Sequence, residues 1–215
     1  MQLRLFPLAS VVLFPGQRLD LRVFEPRYRL LMAECIQESE PFGVVLIREG
    51  MEVGGPAVPH QVGTVARLTG VTPALDGMLH VTAVGAQRFR IVTLDDSAPY
   101  LRAEVERVHD DPAEVNSEVL RFARSGLVRA RELRALASGE YERAYRVPEQ
   151  PGPVADAIAG QAPVEPARLQ AVLETTNVRQ RLDSVLPMLD SVIAEARLAA
   201  AQAASSRWAA FGLTN

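Results

Sequence analysis

The chain has 215 residues, 48% apolar and 23% charged, which suits one large domain or two small ones at roughly 100–200 residues each. At this length folding buries about 70% of the unfolded surface, so the core needs no metal or disulfide to hold it. Net charge is −3, with 11 Arg against 13 acids in residues 1–110 and 12 Arg against 13 acids in residues 111–215, so neither half advertises a polyanion partner.

All 23 basic residues are Arg. Chemistry that needs a lysine amine is therefore excluded: a P-loop lysine, a Ser–Lys dyad, Schiff-base formation and pyridoxal phosphate attachment. No apolar run approaches the roughly 20 residues of a membrane span. The N-terminus lacks a basic segment followed by an unbroken apolar stretch, so no signal peptide is expected. One cysteine cannot form an internal disulfide, which fits a cytoplasmic protein.

In chain order, Leu3 and Leu5 alternate with Gln2 and Arg4. Leu19, Leu21 and Val23 alternate with Arg18, Asp20 and Arg22. Both patterns have the period of a half-buried strand. Pro26 stands where a first helical residue should, and Tyr28, Leu31, Met32, Cys35 and Ile36 then carry the spacing of a buried helical stripe. Residues 42–47 (FGVVLI) form a continuous β-prone run and predict a central strand. Residues 49–63, rich in Gly and Pro, predict a long loop. Asp76-Gly77 predicts a hairpin turn between a strand ending near Leu75 and one beginning at Met78. Arg88–Leu94 supplies a further strand, and Leu101, Ala103 and Val105 alternate with Arg102, Glu104 and Glu106.

The character changes near His109–Asp111. Asp111, Pro112 and Glu114 have the order of a cap, a first helical residue and a closing acid, predicting a helix from there to about Ala137 and a stop at Gly139. Residues 138–153 predict a loop, followed by short helices near 153–160 and 166–175. Asn177 with Gln180 predicts the start of a long helix to about Ala203, bent at Pro187. In that helix Val178, Leu182, Val185, Leu189, Val192, Ala196, Ala199 and Ala203 follow a heptad seam. Bundle packing uses the same spacing, so Val178, Leu182, Val185 and Leu189 are expected to be buried within the monomer, docking is expected to weaken beyond Ala196, and residues after about Ala203 are expected to be tethered mainly by Trp208 and Phe211 or to be mobile. The division expected is therefore a β-rich domain over 1–110, a helical bundle over 111–203 and a tail over 204–215.

Little in the chain has the pattern of a catalytic site. His60, His80 and His109 are far apart and form no metal-type pair. Cys35 falls on an apolar stripe, where a thiol is inert. No GxSxG, GxxxxGK[ST], GxGxxG or HExxH occurs. Asp95-Asp96 and Asp110-Asp111 have the positions of turn and capping residues. Arg121, Arg124 and Arg131 share one face of the predicted helix, diluted by Glu118 and Glu132, the pattern of a solvated face. No catalytic residue, cofactor or metal is assigned.

Three stretches near the N-terminus are more distinctive. Leu5-Phe6-Pro7-Leu8, Val12-Leu13-Phe14-Pro15-Gly16 and Leu21-Arg22-Val23-Phe24-Glu25-Pro26-Arg27-Tyr28 resemble the opening of the Lon protease N-terminal, substrate-binding domain. Phe42–Ile47, Val62–Ala66 and Gly85–Ile91 continue the resemblance in order, and Leu169-Gln170, Leu173-Glu174 and Arg181-Leu182 are similar to the family's helical part. The resemblance covers about residues 1–195. It implies an α+β fold, with a PUA-like β-barrel or sheet domain bearing one helix, followed by a C-terminal α-helical bundle. It also implies a stand-alone, non-enzymatic form without the ATPase and peptidase, of bacterial type. The expected partner is unfolded or apolar polypeptide, or a protein partner, bound by a monomer or weak homodimer. Val11, Val12, Leu13 and Phe14 are the candidate peptide-binding residues. RNA binding through the barrel is the alternative, and a hydrolase centred on His60 under the 49–63 loop is a third reading.

Overall fold

The computed structural model describes residues 1–51, 57–74, 77–138 and 147–212, with side chains as far as residue 206. The alternation in the first strand, β1 (Gln2–Leu8), does more than divide core from solvent. β1 pairs antiparallel with β7 (Arg102–Arg107), Leu3 opposite Ala103, and parallel with β3 (Phe42–Gly50), Leu5 opposite Gly43. β3 continues antiparallel to β5 (Val62–Pro73), β5 to β6 (Leu79–Asp95), and β6 to β7. The sheet thus closes on itself, which removes the edges of these strands over the paired stretch. The remaining two strands are additions. β2 (Arg18–Val23) pairs with the first half of β6, and β4 (Ala57–Pro59) with the end of β3.

The continuous apolar run at 42–47 has a simple cause. Phe42 and Val44 enter one core cluster while Val45 enters a second, so β3 is buried on both faces. Leu3, Leu5, Val65, Phe89, Ala103 and Val105 complete the second cluster. Gly43 adjoins the Phe89 ring so closely that a Cβ there would lie 2.9 Å from it, which is why the residue opposite Leu5 has no side chain. The first cluster lies beneath α1 (Pro26–Glu38), whose Tyr28, Leu31, Met32 and Cys35 are buried. Ile36, expected in the same stripe, is 48% exposed. Asp76, half of the expected hairpin turn, lies outside the described residues. Gly77 has φ +77, and Ala74 N–H donates to Met78 C=O across the turn at 2.9 Å.

The second compact unit comprises residues 111–164 and 177–215. It contains α2 (Ser117–Ser138), α3 (Pro151–Ala159) and α5 (Val178–Gly212). α2 begins at Ser117 rather than near Pro112, because Asn116 is the working cap: its side-chain oxygen accepts the Glu118 N–H at 2.7 Å. Asp111 instead bridges to Asn177, and its carbonyl accepts the Val178 N–H. The expected stop at Gly139 lies outside the described residues. Asn177 accepts the Gln180 N–H at 3.0 Å and so caps α5. In the seam Val178, Leu182, Val185, Leu189, Val192 and Ala196 are all buried. α5 contains Pro187 and runs on to Gly212, so residues 204–212 are helix, not an irregular tail. The side chains of Trp208 and Phe211 lie outside the described set.

The residues between these parts do not divide at one point. α4 (Pro166–Glu174), expected in the bundle, groups with the β-rich unit of residues 1–110. The buried Gln170 amide donates to Val62 C=O at 3.0 Å, and the buried Arg88 Nε donates to Leu173 C=O at 2.9 Å. These two bonds satisfy polar groups that neither strand nor helix could satisfy alone.

Candidate functional site

The segment Val11–Phe14 follows β1. Val12, Leu13 and Phe14 are buried, and Val11 is half-buried against the first core cluster. Thr64 Oγ1 donates to Leu13 C=O at 2.6 Å, and the Phe14 N–H donates to Gln17 Oε1 at 3.0 Å. Gly16, at φ +79, donates its N–H to Gly85 C=O, and Gly85 N–H donates to Gln17 C=O. A turn pinned this way to β6 requires Gly at position 16, since other residues strain at positive φ. Three of the four candidate side chains are therefore core and present no surface to a peptide. Val11 alone retains partial exposure.

Glu25-Pro26-Arg27 is likewise an architectural set. Pro26 opens α1, Arg27 Nε lies 3.0 Å from Glu25 Oε2, and the Arg27 guanidinium stacks 4.5 Å from the Tyr28 ring centre. Phe24, between β2 and this turn, is 53% exposed.

One charged cluster was not legible beforehand. Arg4 reaches Glu34 (2.9 Å), Glu38 (2.5 Å) and Glu40 (2.8 Å). Tyr100 donates to Glu34, and Arg102 donates to the Tyr100 hydroxyl at 3.2 Å. The Tyr100 hydrogen bond, with Arg4 beside it, holds the Glu34 carboxyl below the usual range. Arg4, Glu34, Glu38, Glu40 and Arg102 line an open groove of about 600 Å³ with Met1, Gln2, Leu3 and Pro41. Every carboxylate named is already engaged, so the cluster fastens α1 to β1. Arg4 occupies an outward strand position, and only the docking of α1 reveals what it meets.

Cys35 is buried, and burial pushes its thiol up to about 11, so it stays protonated near neutrality. His60 Nδ1 lies 3.6 Å from Glu174 Oε1, and Glu174 also accepts from Gln170 at 2.8 Å. The return of α4 makes this pair. Among the described residues no group of three His, Cys, Asp or Glu could hold a metal. On α2, Arg121 and Arg129 are exposed while Arg124, Arg131 and Arg134 are half-buried. Arg129 faces Glu132 at 3.4 Å, and Arg134 contacts Gln161 and Glu195. Arg129 and Arg134 are thus engaged by different neighbours within the helical unit.

Some apolar side chains are incompletely covered. Val11, Leu21, Leu68, Val71 and Leu79 pack against the first core cluster yet are only partly buried. Four of them lie on β2, β5 and β6, where Leu21 and Val71 both stand opposite Val81. They form a partly solvated apolar margin at the end of the barrel that carries β2.

The fold has counterparts among known proteins. Residues 2–191 match the family model described as the ATP-dependent protease La (LON) substrate-binding domain. The chain belongs to that family. It is 33% identical over 196 residues to Lon protease 2 of Myxococcus xanthus, covering 87% of this chain and 23% of the relative. It is 34% identical over 200 residues to Lon protease of Paraburkholderia phytofirmans, covering 90% of this chain and 25% of the relative. The chain thus spans about a quarter of the length of these curated relatives. A crystal structure of a Lon N-terminal domain protein from Xanthomonas campestris superposes with TM-score 0.68 at 28% identity, covering 87% of this chain and 98% of that one. The N-terminal domain of a Mycobacterium avium complex Lon protease shares the fold, with TM-score 0.65 at 18% identity over 88% of this chain and 98% of that one. No helix among the described residues is long and apolar enough to cross a membrane.

Proposed function

We propose that this chain is a non-catalytic binding module that takes up unfolded or apolar polypeptide. The observation that carries this is the match of residues 2–191, both compact units together, to a domain defined by substrate binding in Lon proteases. The margin of Leu21, Leu68, Val71 and Leu79 supports it, since partly covered apolar side chains gain by burial against a partner, about 25 cal/mol per Å². The single buried thiol suits a reducing cytoplasm, and the module acts as a monomer or weak homodimer.

The test is an array of overlapping peptides from one unfolded protein, with each apolar residue replaced by Ser in a matched set. Apolar peptides should be retained and their Ser versions released. Leu68→Ser and Leu79→Ser should weaken retention while the far-UV circular dichroism is unchanged. Equal retention of both peptide sets would sink the proposal.

A further inference from the structure

β2, the first half of β6 and the outer half of β5 form a three-stranded sheet. In register, Arg18 stands opposite Val84 and Val84 opposite Arg67. Asp20 stands opposite Thr82, and Arg22 opposite His80. Side chains directly opposite one another share a face, and Arg18, Asp20, Arg22, Arg67 and His80 are all exposed. On the other face Leu19 and Val23 are buried, and Leu21 between them is only partly so.

This sheet has two edges, and they differ. β5 beyond Ala66 pairs with β6 alone among the described strands, but its register shifts between Leu68 and Gly70 and it ends in Pro73. A bulge and a proline are among the devices that blunt an edge. β2 also pairs with β6 alone, but its six residues run from Arg18 to Val23 in unbroken register with no proline. Among the described strands its far side is unpaired.

We propose that β2 accepts an extended polypeptide segment as a neighbouring strand, and that the preferred segment alternates apolar with acidic residues. This rests on the polypeptide-binding reading above and names the substrate class. Main-chain hydrogen bonds to β2 supply affinity that does not depend on sequence, and alternate side chains supply selection. On the charged face the incoming strand meets Arg18, Asp20 and Arg22 in turn. Arg18 is held by Asp20 at 2.9 Å, and Asp20 also accepts from Thr82 at 2.8 Å. Arg22 has no ion pair among the described residues. Carboxylates opposite Arg18 and Arg22 complement this order, because opposite charges attract across neighbouring strands and like charges repel. On the apolar face a side chain opposite Leu21 covers the one residue of β2 left partly wet. A phosphate backbone fits the strip less well, because Asp20 stands between the two arginines.

The test uses the full chain and the peptide Val-Glu-Val-Thr-Val-Glu-Val, of ordinary strand length, with fluorescence anisotropy as readout. A version with Arg for Glu should bind about tenfold more weakly, the sum of two cross-strand pairs changed from attractive to repulsive. The double variant Arg18→Glu with Arg22→Glu, both at exposed positions, should invert that preference. Of two peptides N-methylated on alternate amides, one should lose binding and the other keep it, since only one edge of the peptide faces β2. An unfolded protein is titrated in parallel. If it binds, but charge and N-methylation have no effect, strand addition at β2 is overturned and the polypeptide-binding reading stands. If it does not bind, both fall. Unstructured RNA that displaces the acidic peptide from the wild type, and that binds the double variant more weakly, would assign the strip to nucleic acid and overturn the proposal.

Discussion

Asp156 on α3 and Arg181 in the first turn of α5 form a buried ion pair, Nε to Oδ1 3.3 Å, with side chains 3% and 0% exposed. Removing one partner strands the other charge in the interior. Asp156→Ala should therefore cost about 3–5 kcal/mol, the range for breaking a buried pair from one side. Arg181→Met strands the carboxylate and should cost a similar amount. The double variant Asp156→Leu with Arg181→Met strands nothing and replaces both by apolar bulk. Such exchanges are often neutral or stabilising by about 1–4 kcal/mol, so the double variant should be much more stable than either single one. The assay is urea unfolding followed by far-UV circular dichroism, which reports the helices, with the coupling taken from the double-mutant cycle. Additive single losses, or an Asp156→Ala cost below about 1 kcal/mol, would refute the claim that this pair is held by mutual compensation.

Three further outcomes are expected. Leu182 is fully buried in the α5 seam whereas Leu198 on the same helix is 59% exposed, so Leu182→Ala should cost about 2–5 kcal/mol and Leu198→Ala less than about 0.5 kcal/mol by urea unfolding. Glu34 titrates below its ordinary value of 4.5 because of Tyr100 and Arg4. A depressed folded value adds stability that is present above the unfolded value and lost as pH falls through the folded one, so Glu34→Gln should flatten the acid limb of a stability–pH curve below about pH 4.5 and leave its neutral slope unchanged. Cys35, with its thiol pushed up to about 11, should react with an aromatic disulfide reagent at pH 8 only after denaturation. Rapid reaction of the folded chain would show that α1 opens.

Much of the fold was legible because periodicity reports which face of an element is buried. The alternation at Leu19, Leu21 and Val23, the stripe at Tyr28, Leu31, Met32 and Cys35, and the heptad seam of α5 each have one buried face. Capping was less secure. Asp111 with Glu114 had the order of a helix start, but Asn116 does the capping, because Asp111 is drawn into a bridge with Asn177. Local signals cannot weigh a competitor so distant in the chain.

The candidate site shows the same limit more sharply. Val11–Phe14 is apolar whether it is a groove or a core, and only the burial of Val12, Leu13 and Phe14 decides between them. Most of the strands, the family motifs and the absence of lysine chemistry could be read from neighbouring residues or composition alone, although β4 (Ala57–Pro59) falls where a loop over 49–63 is expected. Long-range packing was needed to show that β1 pairs on both sides to close the sheet, that α4 returns to the β-rich unit, that Arg4 gathers three glutamates and that β2 pairs with β6 alone among the described strands. Each of these joins residues far apart in the chain. A periodic pattern states that a face is covered but carries no record of which distant segment covers it.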